Sequence, residues 1–187
     1  MNRIAVIGGG LMGAGIAQVF AAAGRETIVF EPSDEVRVSV VQRVADNLKS
    51  TGCDSSAAAL IAVTGNLAEA VGDAYFVTEA APEKLELKRS IFADLISHAP
   101  RECILASNSS VIPITRISEG LYTAERMVGT HWWNPPYLVP LVEVIQGEQT
   151  SNATIAATMT LLTEVGKSPA HVVKDTPGFV ANRLQHA

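Results

Sequence analysis

The chain has 187 residues, 48% of them hydrophobic and 18% charged, with 14 Lys and Arg against 19 Asp and Glu for a formal charge of −5. That length fits one domain or one domain and the beginning of a second. The acidic balance leaves no electrostatic footprint for duplex nucleic acid or an anionic membrane, and the composition supports a full apolar core rather than disorder. No apolar run approaches the roughly 18 residues that span a bilayer. The chain enters Arg3-Ile4-Ala5-Val6-Ile7 without a basic leader, so a cytoplasmic protein is expected. Cys53 and Cys103 are too few for a disulfide framework, stand outside any CxxC pair and read as reduced thiols.

Short apolar runs alternate with helix-length stretches along the chain, the pattern of a βαβ array with a mostly parallel sheet. Ile4–Ile7 reads as a buried strand ended by glycines, Leu11–Ala23 as a helix closed by Gly24, and Thr27–Phe30 as a strand stopped by Glu31-Pro32. Ser33, followed by Asp34 and Glu35, caps a helix to about Ser50. Between Thr51 and Gly72 the signals weaken to a short helix over Ala57–Leu60, a strand over Ile61–Thr64 and a helical turn over Leu67–Val71. Tyr75–Thr78 is a strand, and Pro82 suits the first position of a helix to about His98, where its missing N–H is not needed. Cys103–Ala106 is the next strand. Met127–Trp133 and Leu141–Ile145 read as two more, joined by a connection that Pro135, Pro136 and Pro140 hold extended. Thr154–Val165 is a helix ended by Gly166, and His171–Val173 a last strand. Gly178 to Ala187 opens an apolar, helix-like stretch too short to stand without packing, and the chain is read as cut where a second domain begins.

The first strand runs into Gly8-Gly9-Gly10-Leu11-Met12-Gly13, a G-x-G-x-x-G pattern between strand and helix. Gly8 permits the tight turn, Gly10 lets backbone approach a diphosphate, and Gly13 lets helix pack closely on strand. A glycine turn without a ligand is the alternative. Glu31, which follows Gly13 by 18 residues, stands at the end of the second strand, where an acid accepts hydrogen bonds from ribose hydroxyls and repels a 2′-phosphate. NAD is therefore favoured over NADP, with FAD a further alternative. Arg25 lies too near the start of that strand to serve an NADP phosphate.

Of the histidines, His98 at a helix end, His171 in a strand and His186 near the terminus read as structural. His131 ends a strand at the carboxyl edge of the sheet, where ligands sit, and precedes Trp132-Trp133-Asn134-Pro135-Pro136. Glu143 is the only carboxylate between Glu125 and Glu148 and interrupts an apolar strand. It is either an edge residue facing water or a buried acid that requires a partner. An imidazole bonded to a carboxylate is fixed in tautomer and made a better base. Ser107-Asn108-Ser109-Ser110 follows a central strand and suits either nicotinamide and a substrate oxygen or a capping turn for the segment near Pro113. No metal-ligand spacing and no nucleophile elbow is present. Nicotinamide with a His–Glu pair points to hydride transfer from a secondary alcohol, His131 taking the hydroxyl proton.

These residues resemble the NAD-binding domain of the L-3-hydroxyacyl-CoA dehydrogenase family over essentially the whole chain. The likeness rests on Gly8–Gly15, Glu79-Ala80 with Glu83 and Leu85-Glu86-Leu87-Lys88, Ser107–Ser110, His131 to Pro135, Pro140 to Glu143, and Lys174 to Phe179 leading to Asn182-Arg183-Leu184. The resemblance implies an α/β, doubly wound Rossmann-type domain over 1–178. Residues 179–187 would open a truncated, all-helical C-terminal domain for substrate and dimerisation. It implies His131 as base, Glu143 as its partner, and Ser110 and Asn134 at substrate and nicotinamide. Cofactor contacts are implied at Gly8, Gly10, Leu11, Met12, Gly13, Glu31, Ala81, Glu83, Lys88, Asn108, Ser110 and Asn134, and a catalytic contribution at Asn182.

The sequence departs from that pattern in its supply of base. Where acyl-CoA enzymes carry a lysine-rich tail for the CoA phosphates, Arg37, Arg43 and Lys49 are all this chain offers. Asn134-Pro135-Pro136-Tyr137 and Asn182-Arg183-Leu184-Gln185 resemble the branch of lambda-crystallin-like gulonate dehydrogenases and carnitine dehydrogenases. Trp132-Trp133, in place of the usual Phe-Phe, is expected to reshape the pocket. The expected activity is NAD-dependent oxidation of a 3-hydroxyacyl-CoA to its 3-oxo form, or the same chemistry on a small free 3-hydroxy acid. A cofactor-binding module without turnover, or a crystallin-like structural protein, are the readings from other classes. The expected partners are a small-molecule substrate and, for the full-length protein, a second copy.

Overall fold

Alternation within the first strand divides the molecule into two cores. In the computed structural model, which describes residues 3–179, β1 (Arg3–Ile7) sends Ile4 and Val6 to one side of the sheet and Ala5 and Ile7 to the other. The chain continues through α1 (Leu11–Ala22), β2 (Thr27–Phe30), α2 (Asp34–Ser50), a 3-10 segment (Ser55–Leu60), β3 (Ile61–Thr64), α3 (Leu67–Val71) and β4 (Ala74–Glu79). Then follow α4 (Leu85–His98), β5 (Ile104–Ser107), α5 (Ile114–Ser118), β6 (Met127–Trp132), β7 (Leu141–Ile145), α6 (Asn152–Glu164) and β8 (Ser168–Val172). The 8-stranded sheet has the order β3-β2-β1-β4-β5-β6-β7-β8. Neighbours are parallel except β6 and β7. The chain winds outward from β1 to β3 and crosses back to β4, so a crevice opens between the carboxyl ends of β1 and β4.

Helices cover both faces, as a doubly wound sheet requires. Ile16 and Phe20 of α1, Val44 of α2 and Leu162 of α6 pack with Val6, Phe76 and Trp132 on one face. Val71 of α3, Phe92 and Leu95 of α4 and Ile117 of α5 pack with Ile7, Val77, Leu105 and Met127 on the other. Each fully buried Phe or Leu contributes about 1.5–3 kcal/mol relative to exposure, so these two layers hold the strand ends in place. The helices are punctuated locally: Ser33, Asn66 and Ser151 accept backbone N–H bonds at the starts of α2, α3 and α6. Gly24 follows α1 with φ +75°, a conformation open to glycine. No helix among the described residues is long and apolar enough to cross a membrane.

Three expectations are corrected. The helix expected from Pro82 begins at Leu85, because residues 81–84 form a loop whose Glu83 is bound to the backbone after the neighbouring strand β5. The connection between β6 and β7 is not extended. Leu138 and Val139 both donate to the Pro135 carbonyl after a cis Asn134–Pro135 peptide, and the Lys167 ammonium closes the turn on the Pro136 and Val139 carbonyls at 2.5 and 3.0 Å. The last strand starts at Ser168 rather than His171 because it is drawn into parallel register with β7, Leu141 opposite Ser168. Its Pro169 is tolerated on an edge strand. The expected helical start over 180–187, with Asn182 and His186, lies outside the described residues.

Candidate active site

The antiparallel register of β6 and β7 sets His131 directly opposite Glu143, on one face of the sheet. His131 Nδ1 lies 2.7 Å from Glu143 Oε2, and both side chains are buried, 5% and 3% exposed. A carboxylate oxygen accepts here, so Nδ1 carries the hydrogen and Nε2 is left as the basic nitrogen. The imidazole lies beside both Trp133 and Phe179, with ring centroids 5.1 and 5.6 Å away and the ring planes tilted.

Trp132 plays no part in that wall. Adjacent strand residues face opposite sides, and Trp132 is buried in the other core, edge-on to Phe20 at 5.9 Å. The expectation that both tryptophans shape the pocket is thereby corrected to Trp133 alone. Trp132 does anchor the strand end, since its backbone N–H donates to Asn108 Oδ1 at 3.0 Å. Asn134 follows on the exposed turn clasped by Lys167, and burial pushes the Lys167 ammonium below its usual value. Pro136 of the same turn packs on α1: a Cβ at Gly15 would lie 2.9 Å from its ring.

The glycine loop has the geometry its pattern promises. Gly8 takes φ +105°, and a Cβ there would lie 3.0 Å from the Ala80 carbonyl. A Cβ at Gly13 would run into the Gly8 carbonyl, whereas at Gly10 it would meet nothing within 4 Å. The N-terminus of α1 has no side-chain cap and no acid in its first turn, so its N–H groups are open to a diphosphate. Leu11 is exposed beside it and Met12 half-buried. Glu31 accepts from the Gly9 and Ser33 N–H groups at 2.8 and 2.9 Å and so fixes the loop. Arg43 donates to the Gly9 carbonyl at 2.5 Å and Arg37 to the Glu31 carbonyl at 2.8 Å. Arg25 pairs with Glu164 instead.

Across the crevice, Glu79 ends β4 fully buried and accepts from Lys88, the Ser107 hydroxyl and the Ala81 N–H. Ser107 therefore belongs to β5 and points inward, not into the polar loop in which the sequence places it. Glu83 accepts from the Ser109 hydroxyl and from the Ser110, Val111 and Ile112 N–H groups. Burial would raise its carboxyl, and the Ser109 hydroxyl, Lys88 charge and backbone amides outweigh that and hold it below the usual carboxylate range. Lys88 has no exposed side-chain surface. The sequence reading gives Glu79 and Lys167 no role of their own, although Glu79, a carboxylate that ends the run Tyr75–Thr78, poses the same need for a partner as Glu143 within its apolar strand. His98 caps its own helix at the Asp94 carbonyl, and His171 meets Gln146 on the surface. Among the described residues no group of three or more His, Cys, Asp or Glu could hold a metal ion.

The family described as 3-hydroxyacyl-CoA dehydrogenase, NAD binding domain, matches residues 3–176. An L-carnitine dehydrogenase of Streptomyces coelicolor is 37% identical over 191 residues, covering 100% of this chain and 60% of that protein. A 5-formyl-3-hydroxy-2-methylpyridine 4-carboxylate 5-dehydrogenase of Mesorhizobium japonicum is 34% identical over 193 residues, covering 100% and 62%. Among solved structures, the (S)-3-hydroxybutyryl-CoA dehydrogenase of Ralstonia eutropha is similar with a TM-score of 0.92 at 34% identity, over 99% of this chain and 68% of that one. The chain thus spans about three fifths of the length of these curated relatives.

Proposed function

This chain belongs to the 3-hydroxyacyl-CoA dehydrogenase family through its NAD-binding domain, and on that premise we propose that the protein oxidises the 3-hydroxyl of a 3-hydroxyacyl compound to the 3-oxo group. The observation that carries the reading is the buried His131–Glu143 pair at the carboxyl edge of the sheet, beside the loops of the switch point. Bound NAD supplies the hydride acceptor. Its diphosphate would lie on Gly8, Gly10, Leu11, Met12 and Gly13 at the N-terminus of α1, and its adenosine ribose at Glu31, whose fixed charge opposes a 2′-phosphate. Ala81, Glu83, Asn108 and Ser110 border the other half. His131 takes the hydroxyl proton on Nε2, and Glu143 holds the ring in the required tautomer and stabilises the imidazolium that results. Asn134 and Ser110 are assigned to the substrate oxygen and nicotinamide, and a homodimer of the complete protein goes with this reading.

A second substrate reading has its own support. Of the basic residues of α2, Arg37 and Arg43 turn back to the Glu31 and Gly9 carbonyls and only Lys49 remains near the helix end. That supply favours a small free 3-hydroxy acid over a CoA thioester. The test is NAD⁺ reduction by the full-length protein with 3-hydroxybutyryl-CoA set against L-carnitine and L-gulonate. Turnover of one class is expected, with the free acid preferred, and the absence of NADH with every compound would refute the dehydrogenase reading.

A further inference from the structure

Lys167 follows Gly166, whose φ of +80° turns the chain out of α6 toward β8. Its backbone stays at that corner, with the N–H on the Leu162 carbonyl at 2.9 Å, while the side chain reaches away from it. The ammonium lies 5.9 Å from the centre of the Trp132 ring, within cation–π range. It donates to the Pro136 carbonyl at 2.5 Å and to the Val139 carbonyl at 3.0 Å, and only 9% of the residue is exposed. Burying an ammonium is costly unless its donors are satisfied. Here two main-chain carbonyls of one turn satisfy them, so what this lysine holds is that turn.

Residues 133–140 form the turn, and several elements fasten it. Before it, the Trp132 backbone N–H donates to Asn108 Oδ1, and at its end the Pro140 carbonyl accepts from the Ser168 N–H at 2.8 Å. Pro136 packs on α1, where a Cβ at Gly15 would lie 2.9 Å from its ring. Lys167 grips the interior: its two carbonyls bracket Tyr137 and Leu138, and the Leu138 and Val139 N–H groups close on the Pro135 carbonyl, one residue after Asn134. Asn134 is exposed and is placed by the backbone on either side of it. His131, by contrast, is held by the pairing of β6 with β7 and by Glu143. Loosening the turn therefore displaces Asn134 and leaves the base and the glycine loop where they are.

We propose that Lys167 is a positioning residue for the substrate: by holding the Pro136 and Val139 carbonyls it fixes the turn after β6, and with it the Asn134 amide against the substrate oxygen beside His131. This rests on the hydroxyacyl reading above.

The test is NAD⁺ reduction with the preferred hydroxy substrate by the full-length wild type, Lys167→Met, Asn134→Ala and the double variant. Methionine keeps an unbranched apolar stem beside Trp132 and removes the donors without stranding a charge, and near-ultraviolet circular dichroism verifies that each protein is folded. A catalytic group misplaced by 1 Å costs up to ~10²-fold, so a partial release of the turn is expected to lower kcat about tenfold, with NAD⁺ affinity by calorimetry within about threefold of wild type. The pH dependence set by His131 should not move. In the Asn134→Ala background the same change is expected to cost no more than about twofold, because the group that the clamp places is gone. Wild-type kcat in Lys167→Met, or a full tenfold loss both with and without Asn134, would overturn the proposal. Hydrogen exchange reads the clamp without substrate. The Leu138 and Val139 amides are expected to be protected in the wild type and to exchange at least about tenfold faster in Lys167→Met, with β6 and β7 unchanged. Exchange of those two amides at the unstructured rate in the wild type would refute the clamp without recourse to a variant, and faster exchange throughout the variant would reduce Lys167 to a determinant of overall stability. A wild type that shows the expected exchange yet oxidises no hydroxy acid would refute the functional reading, and with it the substrate role, while leaving the tie itself in place.

Discussion

Replacing Lys88 with methionine removes the only cation paired with Glu79 among the described residues and leaves that carboxylate 0% exposed, with the Ser107 hydroxyl and Ala81 N–H as its remaining partners there. Breaking a buried pair from one side costs about 3–5 kcal/mol, because the surviving charge is neither solvated nor compensated. For a chain of this size each kcal/mol lowers the thermal midpoint by about 2–4 °C, so the loss is roughly 6–20 °C. Adding Glu79→Gln removes the stranded charge and keeps one acceptor oxygen for the Ala81 N–H, while the Ser107 hydroxyl can rotate to accept from the new amide, and most of the loss is expected to return. Thermal and urea unfolding of the wild type, both single variants and the double variant measure this, provided that different probes report coincident transitions. A Lys88→Met protein within about 1 kcal/mol of the wild type, or a double variant no more stable than that single one, would refute the claim that the pair is closed to water.

The Glu83 carboxyl is held below its ordinary value of 4.5, so its bonds stabilise the fold fully above that pH and the contribution is lost as pH falls through the folded value. Urea midpoints between neutral and acidic pH should fall more steeply in the wild type than in Glu83→Gln, and equal slopes would contradict the four-donor cradle. Burial pushes the Cys103 thiol up to about 12, whereas Cys53 is exposed. Iodoacetamide at mildly alkaline pH should therefore modify Cys53 alone until the protein unfolds, as read by mass spectrometry.

Where the controlling forces are local, the fold is legible in the residues. Ser33, Asn66 and Ser151 cap helices by bonds within three residues, and even the weak segment Ile61–Thr64 pairs as a strand because its β-branched residues suit the pleat. The His131–Glu143 pair is legible for a different reason: a carboxylate in an apolar strand has to find a partner. The misreadings arise where distant residues decide. Glu83 is held by residues beyond 107, which delays α4 past Pro82. Lys167 bends a proline-rich turn from about thirty residues away. Trp132 is a lapse of parity, since two neighbours in one strand do not share a pocket. Lys88 enters the sequence reading only through the resemblance, as a cofactor contact, and its burial comes from the β4–β5 register, which sets Glu79 opposite Ser107.

Histidine 131 is where the chemistry stands or falls, and His131→Gln in the full-length protein tests it most directly. NAD⁺ affinity by calorimetry should be retained while kcat/KM for the preferred hydroxy substrate falls by ~10²–10⁴-fold, as loss of a general base requires. Undiminished turnover by the variant would remove the imidazole from the reaction and contradict the account.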